Sequence, residues 1–313
     1  MLPIVNYQNI RTNSKQFLSI TSLSVTKFDE LLPHFDQAWQ AHITQFTLDG
    51  LPRVRPFEGI KDPFGSSAQK LFFILAYQKN ASLQEFFAAA FELNQSNCNK
   101  WIHLLSPILD KSLEAYCPKR NIEEVNFIEG EIYLTDATER PVQRDTYEQK
   151  NFFSGKKKRH TIKNIAFCSV LGTLLFLSPT FCGKIHDKKL VETYEITPKH
   201  ISIYADLGFI GWKMEDIEIV LPHKKHQNTK TEKRKLTQTQ IDYNKAHAKT
   251  RVKIENLFAH LKVMRILKDT MRNYKQGFKD LVIQTAAALY NFRKGFKIWN
   301  LYYSMMKYKN NVQ

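Results

Sequence analysis

Residues 131–144 read EIYLTDATERPVQR, and this stretch decides the fold that the chain is expected to adopt. Its apolar and β-branched residues run into Asp136, which is typical of a buried strand followed by an acid. The pattern recurs in residues 201–212, ISIYADLGFIGW, where the acid is Asp206. A third acid, Glu255, lies in AKTRVKIENLFAHLK, whose apolar residues have helical spacing. The sequence therefore predicts two acids at core strands and a third on a helix.

This arrangement of acids suits a divalent-metal site for phosphoryl transfer. Mg²⁺ prefers hard oxygen ligands and usually takes only one or two carboxylates, which leaves positions for phosphate oxygens and water. Two ions about 4 Å apart can stabilise both the attacking and the leaving oxygen. We therefore predict that Asp136, Asp206 and Glu255 are the catalytic residues and also the metal ligands, with two Mg²⁺ ions as the cofactor.

The residues around these acids form the segments TDATERPVQR, FFSGKKKRHTIKN, GKIHD, ADLGFIGW and TRVKIENLFAHLK. Together the segments resemble the catalytic domain of DDE transposases, in particular the bacterial insertion-sequence transposases of the IS five type. The resemblance runs from about Tyr7 to about Asn291. It implies an RNase H-like catalytic fold and a DDE triad at Asp136, Asp206 and Glu255. It also implies cutting and joining of DNA that depends on Mg²⁺ or Mn²⁺.

The order of elements predicted from Glu131 onward agrees with such a fold. Three strands are predicted, then a helix, then two strands: EIYLTDA, RHTIKNIAFCSV, TLLFLSPTFC, the helix HDKKLVETYEI, ISIYADLG and IEIVLP. This order puts Asp136 on the first strand and Asp206 just after the fourth. The expected fold class is α/β, with an RNase H-like catalytic domain (a mixed sheet flanked by helices) at residues 130–300. An all-α helix-turn-helix domain is expected to precede it.

The helix that carries Glu255 also fits part of a family signature. In the pattern Tyr–two residues–Arg–three–Glu–six–Lys, Arg251, Glu255 and Lys262 match, and Ala248 stands at the Tyr position. Helical spacing puts the three matching residues on one side, where the cations could hold DNA phosphates beside a metal-binding glutamate. The alternative is an ordinary exposed Arg–Glu pair worth a few tenths of a kcal/mol. The two upstream acids favour the catalytic interpretation.

Charge is distributed unevenly along the 313 residues, which are 43% hydrophobic and carry a net charge of +16. Residues 1–110 hold nine Lys/Arg and nine Asp/Glu, so the whole excess lies after residue 110. A basic part beside a neutral part predicts a polyanionic partner, here double-stranded DNA from element ends and target. The alternative is a basic protein that is merely soluble.

The densest basic cluster precedes and enters the second predicted strand; its members are Lys156, Lys157, Lys158, Arg159, His160 and Lys163. We interpret it as a contact to the phosphate backbone, the alternative being a solvated basic hairpin tip. Arg140, four residues beyond Asp136, is a second candidate for phosphate contact if the strand bends. Asp187, in GKIHD, is flagged by the resemblance and explained equally well as a helix N-cap.

Residues 66–115 predict the helix-turn-helix domain, after an N-terminal helical segment and linker at 1–65. Its helices are AQKLFFILAYQKN, SLQEFFAAAFEL and QSNCNKWIHLLSPIL, with Ser82 and Asn94 as expected N-caps of the second and third. A recognition helix presents its N-terminal residues to the major groove, which makes Gln95, Ser96, Asn97, Asn99 and Lys100 candidate DNA contacts. The alternative, to which the neutral charge of this part gives some weight, is a helical packing module that does not touch DNA.

The remaining features indicate the cellular environment that we expect for the chain. Its four cysteines, Cys98, Cys117, Cys168 and Cys182, lie far apart without a CxxC pair, which argues against a structural zinc site and favours free thiols in a reducing cytoplasm. MLPIVNYQNIR has no cleavable-leader pattern, and no run of about 20 apolar residues predicts a membrane span. We expect a bacterial, nucleoid-associated, cytoplasmic protein whose residues 301–313 form a frayed tail.

These observations together predict a transposase that cuts DNA at the ends of its own mobile element and joins them to a target. Cutting two ends together implies at least a homodimer on DNA. One alternative is a catalytically silent, sequence-specific DNA-binding protein derived from a transposase, which the intact triad argues against. A second is a stand-alone metal-dependent nuclease, which the helix-turn-helix argues against.

Overall fold

The computed structural model describes residues 5–55, 62–144, 149–197, 200–224 and 236–297. The predicted C-terminal tail and part of the predicted first linker lie outside these ranges. Within them, no helix is both long enough and apolar enough to cross a membrane.

The described residues fold into helices in the N-terminal part and a mixture of strands and helices after it. The helices are α1 (Tyr7–Arg11), α2 (Ser14–Thr21), α3 (Val25–Gln45), α4 (Ser67–Asn80), α5 (Gln84–Ala90), α6 (Gln95–Ser112), α7 (Gln149–Phe152), α8 (Asp187–Val191), α9 (Gln238–Leu261), α10 (Arg265–Lys268) and α11 (Phe278–Lys294). The strands are β1 (Ile132–Pro141), β2 (Phe153–Ser154), β3 (Arg159–Ser169), β4 (Leu174–Leu177), β5 (Phe181–Cys182), β6 (Ile201–Tyr204) and β7 (Ile217–Val220). The chain divides into two compact units, Met1–Cys117 with Leu261–Lys297, and a second unit that begins at Pro118 and includes the residues to His260.

The helical unit contains the three helices predicted for residues 66–115. Asn94 caps α6 as expected, because its side chain accepts a hydrogen bond from the backbone N–H of Asn97 at 2.8 Å. The prediction that Ser82 caps the second helix was wrong: α5 begins at Gln84, and its N-cap position is Leu83, which makes no side-chain capping bond. Whether these three helices read DNA stays a prediction.

The C-terminal helix α11 packs within this same helical unit. The hydroxyl of Thr285 donates to Asp110 Oδ1 at 3.0 Å, and the amide of Asn291 donates to the carbonyl of Tyr116 at 3.0 Å. In the sequence, α11 follows the three acids and falls within the residues predicted for the catalytic domain. The apolar residues of α11 do not by themselves specify which helix packs against them. The predicted domains were defined by function, DNA binding for residues 66–115 and catalysis for residues 130–300. Both functions stay predictions.

The second unit is built on one mixed sheet whose centre is β1. The strands follow the order β2-β3-β1-β6-β7, and β4 and β5 also pair with β3. β1 runs antiparallel to β3 and parallel to β6, which in turn runs parallel to β7. The predicted succession of three strands, a helix and a strand is therefore present in β1, β3, β4, α8 and β6.

Two predicted elements differ in extent from the structure. The third predicted strand is divided into β4 and β5, since Pro179 has no N–H for a ladder and the Ser178 hydroxyl accepts from the N–H of Ile165 at 2.8 Å. The first predicted strand, EIYLTDA, ends at Ala137, whereas β1 continues to Pro141. The long β3 provides pairing partners along this whole extension, from Ala137 opposite Ile165 onward.

One face of the sheet is covered by an apolar core. Its fully buried side chains include Tyr133, Ile165, Phe167, Ile203 and Phe209. Burial of each such side chain contributes about 1.5–3 kcal/mol, which fixes β1, β3 and β6 side by side. The acids at this sheet are therefore positioned by a rigid element.

Helix α9 is held to the sheet by three polar contacts along its two turns from His247 to Lys253. His247 Nε2 lies 3.1 Å from the carbonyl oxygen of Val220, Arg251 reaches β1, and the ammonium of Lys253 donates to the carbonyl of Val170 at 2.5 Å. The apolar residues that follow helical spacing in and just after this segment are all buried: Ile254, Leu257, Phe258, Leu261 and Met264. Met264 itself lies beyond the end of the helix.

Candidate active site

Asp136 lies on β1, and Asp206 lies just past the end of the neighbouring strand β6. The parallel ladder of β1 and β6 pairs Leu134 with Tyr204, the last residue of β6. Asp136 and Asp206 each come two residues after this pair, and Asp206 keeps an extended backbone (φ −88°, ψ 179°). Since neighbouring strands lie about 4.8 Å apart, this register brings the two acids together. The parallel pairing of β1 and β6 therefore makes neighbours of two acids that lie seventy residues apart in the sequence.

Glu255 joins the pair indirectly, through Arg251. The Arg251 guanidinium lies 3.0 Å (Nη2–Oδ2) from Asp136 and 3.9 Å (Nη1–Oε1) from Glu255. Arg251 is buried, whereas 58% of the Glu255 side chain is exposed. The two acids thus share one guanidinium, and helix α9 carries both the cation and the second acid.

A further acid, Asp187, lies beside Asp206. A Cβ atom built on Gly208 would lie 2.8 Å from Asp206 Oδ1 and 3.1 Å from Asp187 Oδ2, so those two oxygens are within about 6 Å of each other. The Asp206 carboxylate also accepts from the N–H of Gly208 at 2.8 Å. The close approach leaves no room for a side chain at Gly208.

Asp187 is fixed by a buried lysine. The Lys163 ammonium donates to Asp187 Oδ1 at 2.7 Å and to the carbonyl of Ile185 at 2.8 Å, and it lies 3.8 Å from Glu139 Oε1. The N-cap interpretation of Asp187 was wrong, because His186 holds the N-cap position of α8 and Asp187 is the first helical residue. Strand alternation turns Lys163 inward, opposite Glu139 on β1.

The electrostatics of the cluster act most strongly on Asp136. Burial raises the pKa of its carboxyl from 3.8 to about 6, since the charged form is desolvated. Arg251 opposes this rise in pKa, while the negative charges of Asp206 and Asp187 reinforce it. A carboxyl whose pKa is raised at a cluster of like charges is typical of a functional site and gains from a bound cation.

This shift predicts a pH dependence of stability. The folded state keeps a proton on Asp136 up to about pH 6, whereas the unfolded chain loses it near 3.8. The stabilising contribution is therefore complete below the unfolded pKa and is lost as the pH rises through the folded pKa, by about 3 kcal/mol for a shift of this size. In a chelating buffer, urea titrations of the parent and of Asp136→Asn from about pH 4 to about pH 8 should show their unfolding free energies diverging across this window. A difference that is constant with pH would contradict the raised pKa.

The donor set fits a divalent cation in chemical type. Asp136 and Asp206 offer hard carboxylate oxygens, and two carboxylates are the number that Mg²⁺ usually takes from a protein. Among the residues that the structure describes, no group of three or more His, Cys, Asp or Glu side chains is close enough to hold an ion. Arg251 supplies the positive charge at Asp136 in this arrangement.

A family model described as DDE superfamily endonuclease matches residues 135–291, half of the chain. The chain belongs to this family. Asp136, Asp206 and Glu255 all lie inside the matched region. The chain is also 28% identical over 169 residues to a protein of Microchaete diplosiphon named "Probable transposase for insertion sequence element IS702". That match covers 53% of this chain and 58% of the relative, so the chain spans little more than half the relative's length. No solved structure matches the chain.

The basic cluster predicted at residues 156–163 divides into exposed and buried members. The exposed ones lie at the turn between β2 and β3: Lys156, Lys157, Lys158 and Arg159. His160 is half-buried against the ring of Phe153, with ring centroids 5.7 Å apart. Only the turn residues present their charge to solvent.

Arg140 does not bend toward Asp136. It is 2% exposed, and its guanidinium donates to Asn164 Oδ1 at 2.9 Å and to the hydroxyl of Thr180 at 3.0 Å. The strand stays regular through Arg140, which pairs with Ile162, so the guanidinium is directed to β3 and the segment after β4.

The candidate base-reading residues at the start of α6 are partly engaged with other side chains. The amides of Gln95 and Asn99 both donate to Gln84 Oε1, at 2.8 Å and 3.1 Å. The Lys100 ammonium lies 2.6 Å from Asp49 Oδ1. Asn97 is exposed at the N-terminal turn of the helix. Lys262 follows the last residue of α9 and is half-buried.

Sequence reasoning missed His247, which lies one helical turn before Arg251. Its buried ring stacks on Tyr204, with centroids 5.3 Å apart, and burial lowers the pKa of its imidazole. The ring joins α9 to the end of β6, next to Asp206. The spacing of His247, Arg251 and Glu255 at every fourth residue was the available signal, because it marks one side of the helix.

Proposed function

We propose that this chain is a metal-dependent DNA transposase that cuts the ends of an insertion sequence and joins them to a target. Membership of the DDE superfamily endonuclease family and similarity to a probable transposase support this proposal. The observation that carries it is the register that sets Asp136 and Asp206 side by side, with Glu255 linked to Asp136 through Arg251. In this proposal the three acids are the catalytic triad and the metal ligands.

We also assign an RNase H-like fold to the sheet unit. The succession of three strands, a helix and a strand is the one expected of that fold, and the mixed pairing around β1 agrees with it. The helices α4, α5 and α6 would then read DNA, and two copies of the chain would act together on two element ends. DNA and a second copy of the chain are therefore the partners that the proposed function requires.

The proposed reaction has two phosphoryl transfers in one site. Bound Mg²⁺ or Mn²⁺ supplies an activated water and neutralises phosphate charge. In the first transfer, water attacks a phosphodiester at the element end, the bond from phosphorus to O3′ breaks, and a free 3′-OH is left. In the second, that 3′-OH attacks a target phosphodiester, and the target's own 3′ oxygen leaves. Neither transfer needs a covalent bond to the enzyme.

The chain's own residues have distinct parts in this scheme. Asp136 and Asp206 would hold the ions from the rigid sheet, and Glu255 would do so from α9. Arg251 would give up Asp136 and bind a phosphate oxygen, a task that suits the planar guanidinium with its several donors. Lys163 would keep Asp187 and Glu139 in place rather than contact DNA, because its ammonium is buried among carboxylates.

The exposed turn between β2 and β3 is the part of the basic cluster that we propose for contact with the DNA backbone. Changing Lys156, Lys157 and Arg159 to Gln removes three exposed charges. Affinity should fall alike for all DNA sequences, and the slope of log affinity against log salt should flatten by about 0.9 for each lost phosphate contact. Fluorescence anisotropy on two unrelated duplexes over a salt series measures both quantities. A loss confined to one sequence, with an unchanged slope, would rule out backbone contact.

The function itself can be tested with the DNA that flanks the chain's own gene. Inverted repeats in that DNA would define the candidate ends. A duplex carrying them is incubated with the protein and a target plasmid in Mg²⁺ and, separately, in a chelator. We expect metal-dependent release of 3′-OH ends and joined products. Binding to the ends without any cleavage or joining would instead favour the catalytically silent DNA-binding protein. In such a protein, Arg251 would remain paired with Asp136.

A further inference from the structure

The helical unit contains a basic segment that comes from the far end of the sequence. Its helices up to residue 110 are electrically neutral, with nine Lys/Arg and nine Asp/Glu in residues 1–110. The segment 261–297, which the fold assigns to the same unit, holds nine Lys/Arg and only two Asp/Glu. The positive charge of this unit is therefore supplied by the C-terminal segment and not by the helices predicted to read DNA.

This segment is fastened to the helices α4 and α6 at several points. The Lys79 ammonium donates to the carbonyl of Val263 at 2.9 Å, and the Arg272 guanidinium donates to the carbonyl of Ala81 at 3.1 Å. Asn273 Nδ2 lies 3.2 Å from the ring nitrogen Nε2 of His103 on α6. Ala81 is the left-handed residue that ends α4 (φ 49°), so the segment lies against the turn between α4 and α5.

A groove separates the segment from this turn. It is a cavity of about 350 Å³, and its walls include Ser82, Gln84 and Asn99 on one side and Arg272, Asn273 and Tyr274 on the other. Tyr274 is 64% exposed at its rim. Along the same segment, four exposed cations follow at intervals of three or four residues: Arg265, Lys268, Arg272 and Lys275. Arg265 is paired with Asp269 (Nε–Oδ2 3.0 Å), so Lys268, Arg272 and Lys275 carry the argument.

We propose that these cations and the groove form a binding surface for the phosphate backbone of double-stranded DNA, next to the N-terminal end of α6. The choice of DNA as the partner rests on the proposed function. The start of α6 has polar side chains but little charge to offer, because Lys100 is paired with Asp49. Base-reading groups need phosphate contacts that fix register on the duplex, and such contacts come from Lys, Arg and hydroxyl groups. The C-terminal segment supplies them where the helices do not.

Two lysines on the segment allow a matched test. The double variant Lys268→Gln, Lys275→Gln removes two exposed charges from the proposed surface. The control variant Lys15→Gln, Lys111→Gln removes two exposed charges from the same unit, on α2 and α6, outside the groove lining and the four cations. Both variants are compared with the parent by circular dichroism and thermal unfolding, which should agree because all four residues are exposed.

Binding to a duplex is then measured in a chelator across a salt series, so that cleavage plays no part. For the segment variant we expect the salt slope to flatten by about 1.8 and the affinity at about 0.1 M salt to fall ten- to a hundred-fold, the effect of two lost phosphate contacts. The control should keep the parent's slope. Equal slopes for all three proteins, or equal losses in both variants, would overturn the proposal. A parent that binds DNA in this way but never cleaves it would leave this surface standing and refute the proposed function.

Discussion

Asp206→Asn should abolish Mg²⁺-dependent DNA cleavage while leaving DNA binding in a chelator intact. The change keeps the size of the side chain, and the amide oxygen can still accept from the N–H of Gly208, so the turn after β6 should hold. It removes the negative charge that a cation at this site requires. Loss of one preorganised electrostatic group costs on the order of 10²–10³-fold in rate, and loss of a metal ligand should cost at least as much.

Glu215→Gln is the matched control for this substitution. Glu215 is an exposed acid of the same sheet unit that lies on the turn before β7, outside the cluster of acids. Its variant should cleave at the parent's rate. Equal cleavage by the parent and Asp206→Asn would exclude Asp206 as a ligand. A loss of chelator-resistant binding in Asp206→Asn would indicate a damaged fold instead, and circular dichroism would reveal it.

The sequence predicted the strands of the site well because each carries a compact apolar run. EIYL, ISIY and IEIV are short, β-branched and bounded by polar residues, and all three form strands. The acids could be located next to them for the same reason. The continuation of β1 through Thr138, Glu139 and Arg140 could not be predicted, because those polar residues are accommodated by partners on β3 such as Asn164 and Lys163.

The environment of each charged residue was harder to predict than its position along the chain. Lys163 and Arg140 belong to basic or arginine-bearing motifs, and both are buried within the paired strands among polar partners. Lys156 and Lys157 look the same in sequence and are exposed at a turn. A charge run alone does not distinguish these cases. The distinction depends on whether a residue lies within the paired part of the sheet or at a turn, and that requires the strand bounds and the register.

Long-range packing decided the remaining features. The burial of α11 against α6 depends on partners such as Asp110, which lies 175 residues before Thr285 in the sequence. The approach of Asp187 to Asp206 likewise depends on a turn at Gly208 and on the lysine that holds Asp187. Neither contact leaves a periodic signal in the sequence.

Arg251→Met should destabilise the protein by about 3–5 kcal/mol at neutral pH, the usual cost of leaving one member of a buried ion pair without its partner. Arg251 is buried and only 21% of the Asp136 side chain is exposed, so water cannot replace the lost cation well. Methionine fills a similar volume without the charge, which limits any loss of packing. Urea titration in a chelating buffer measures the unfolding free energy.

The double variant Arg251→Met, Asp136→Asn separates the ion pair from simple packing. With the acid neutralised, removal of the guanidinium should cost much less, so the two substitutions should couple by 2 kcal/mol or more, on the order seen for contacting residues in one network. The deficit of Arg251→Met should also shrink near pH 5, because Asp136 has a raised pKa of about 6 and takes up a proton there. Mg²⁺ added at neutral pH should stabilise Arg251→Met more than the parent, since a cation then has no guanidinium to displace from Asp136. Additive substitutions with no response to pH or Mg²⁺ would mean that Arg251 contributes packing alone, and the proposed exchange of Arg251 between carboxylate and phosphate would fail with it.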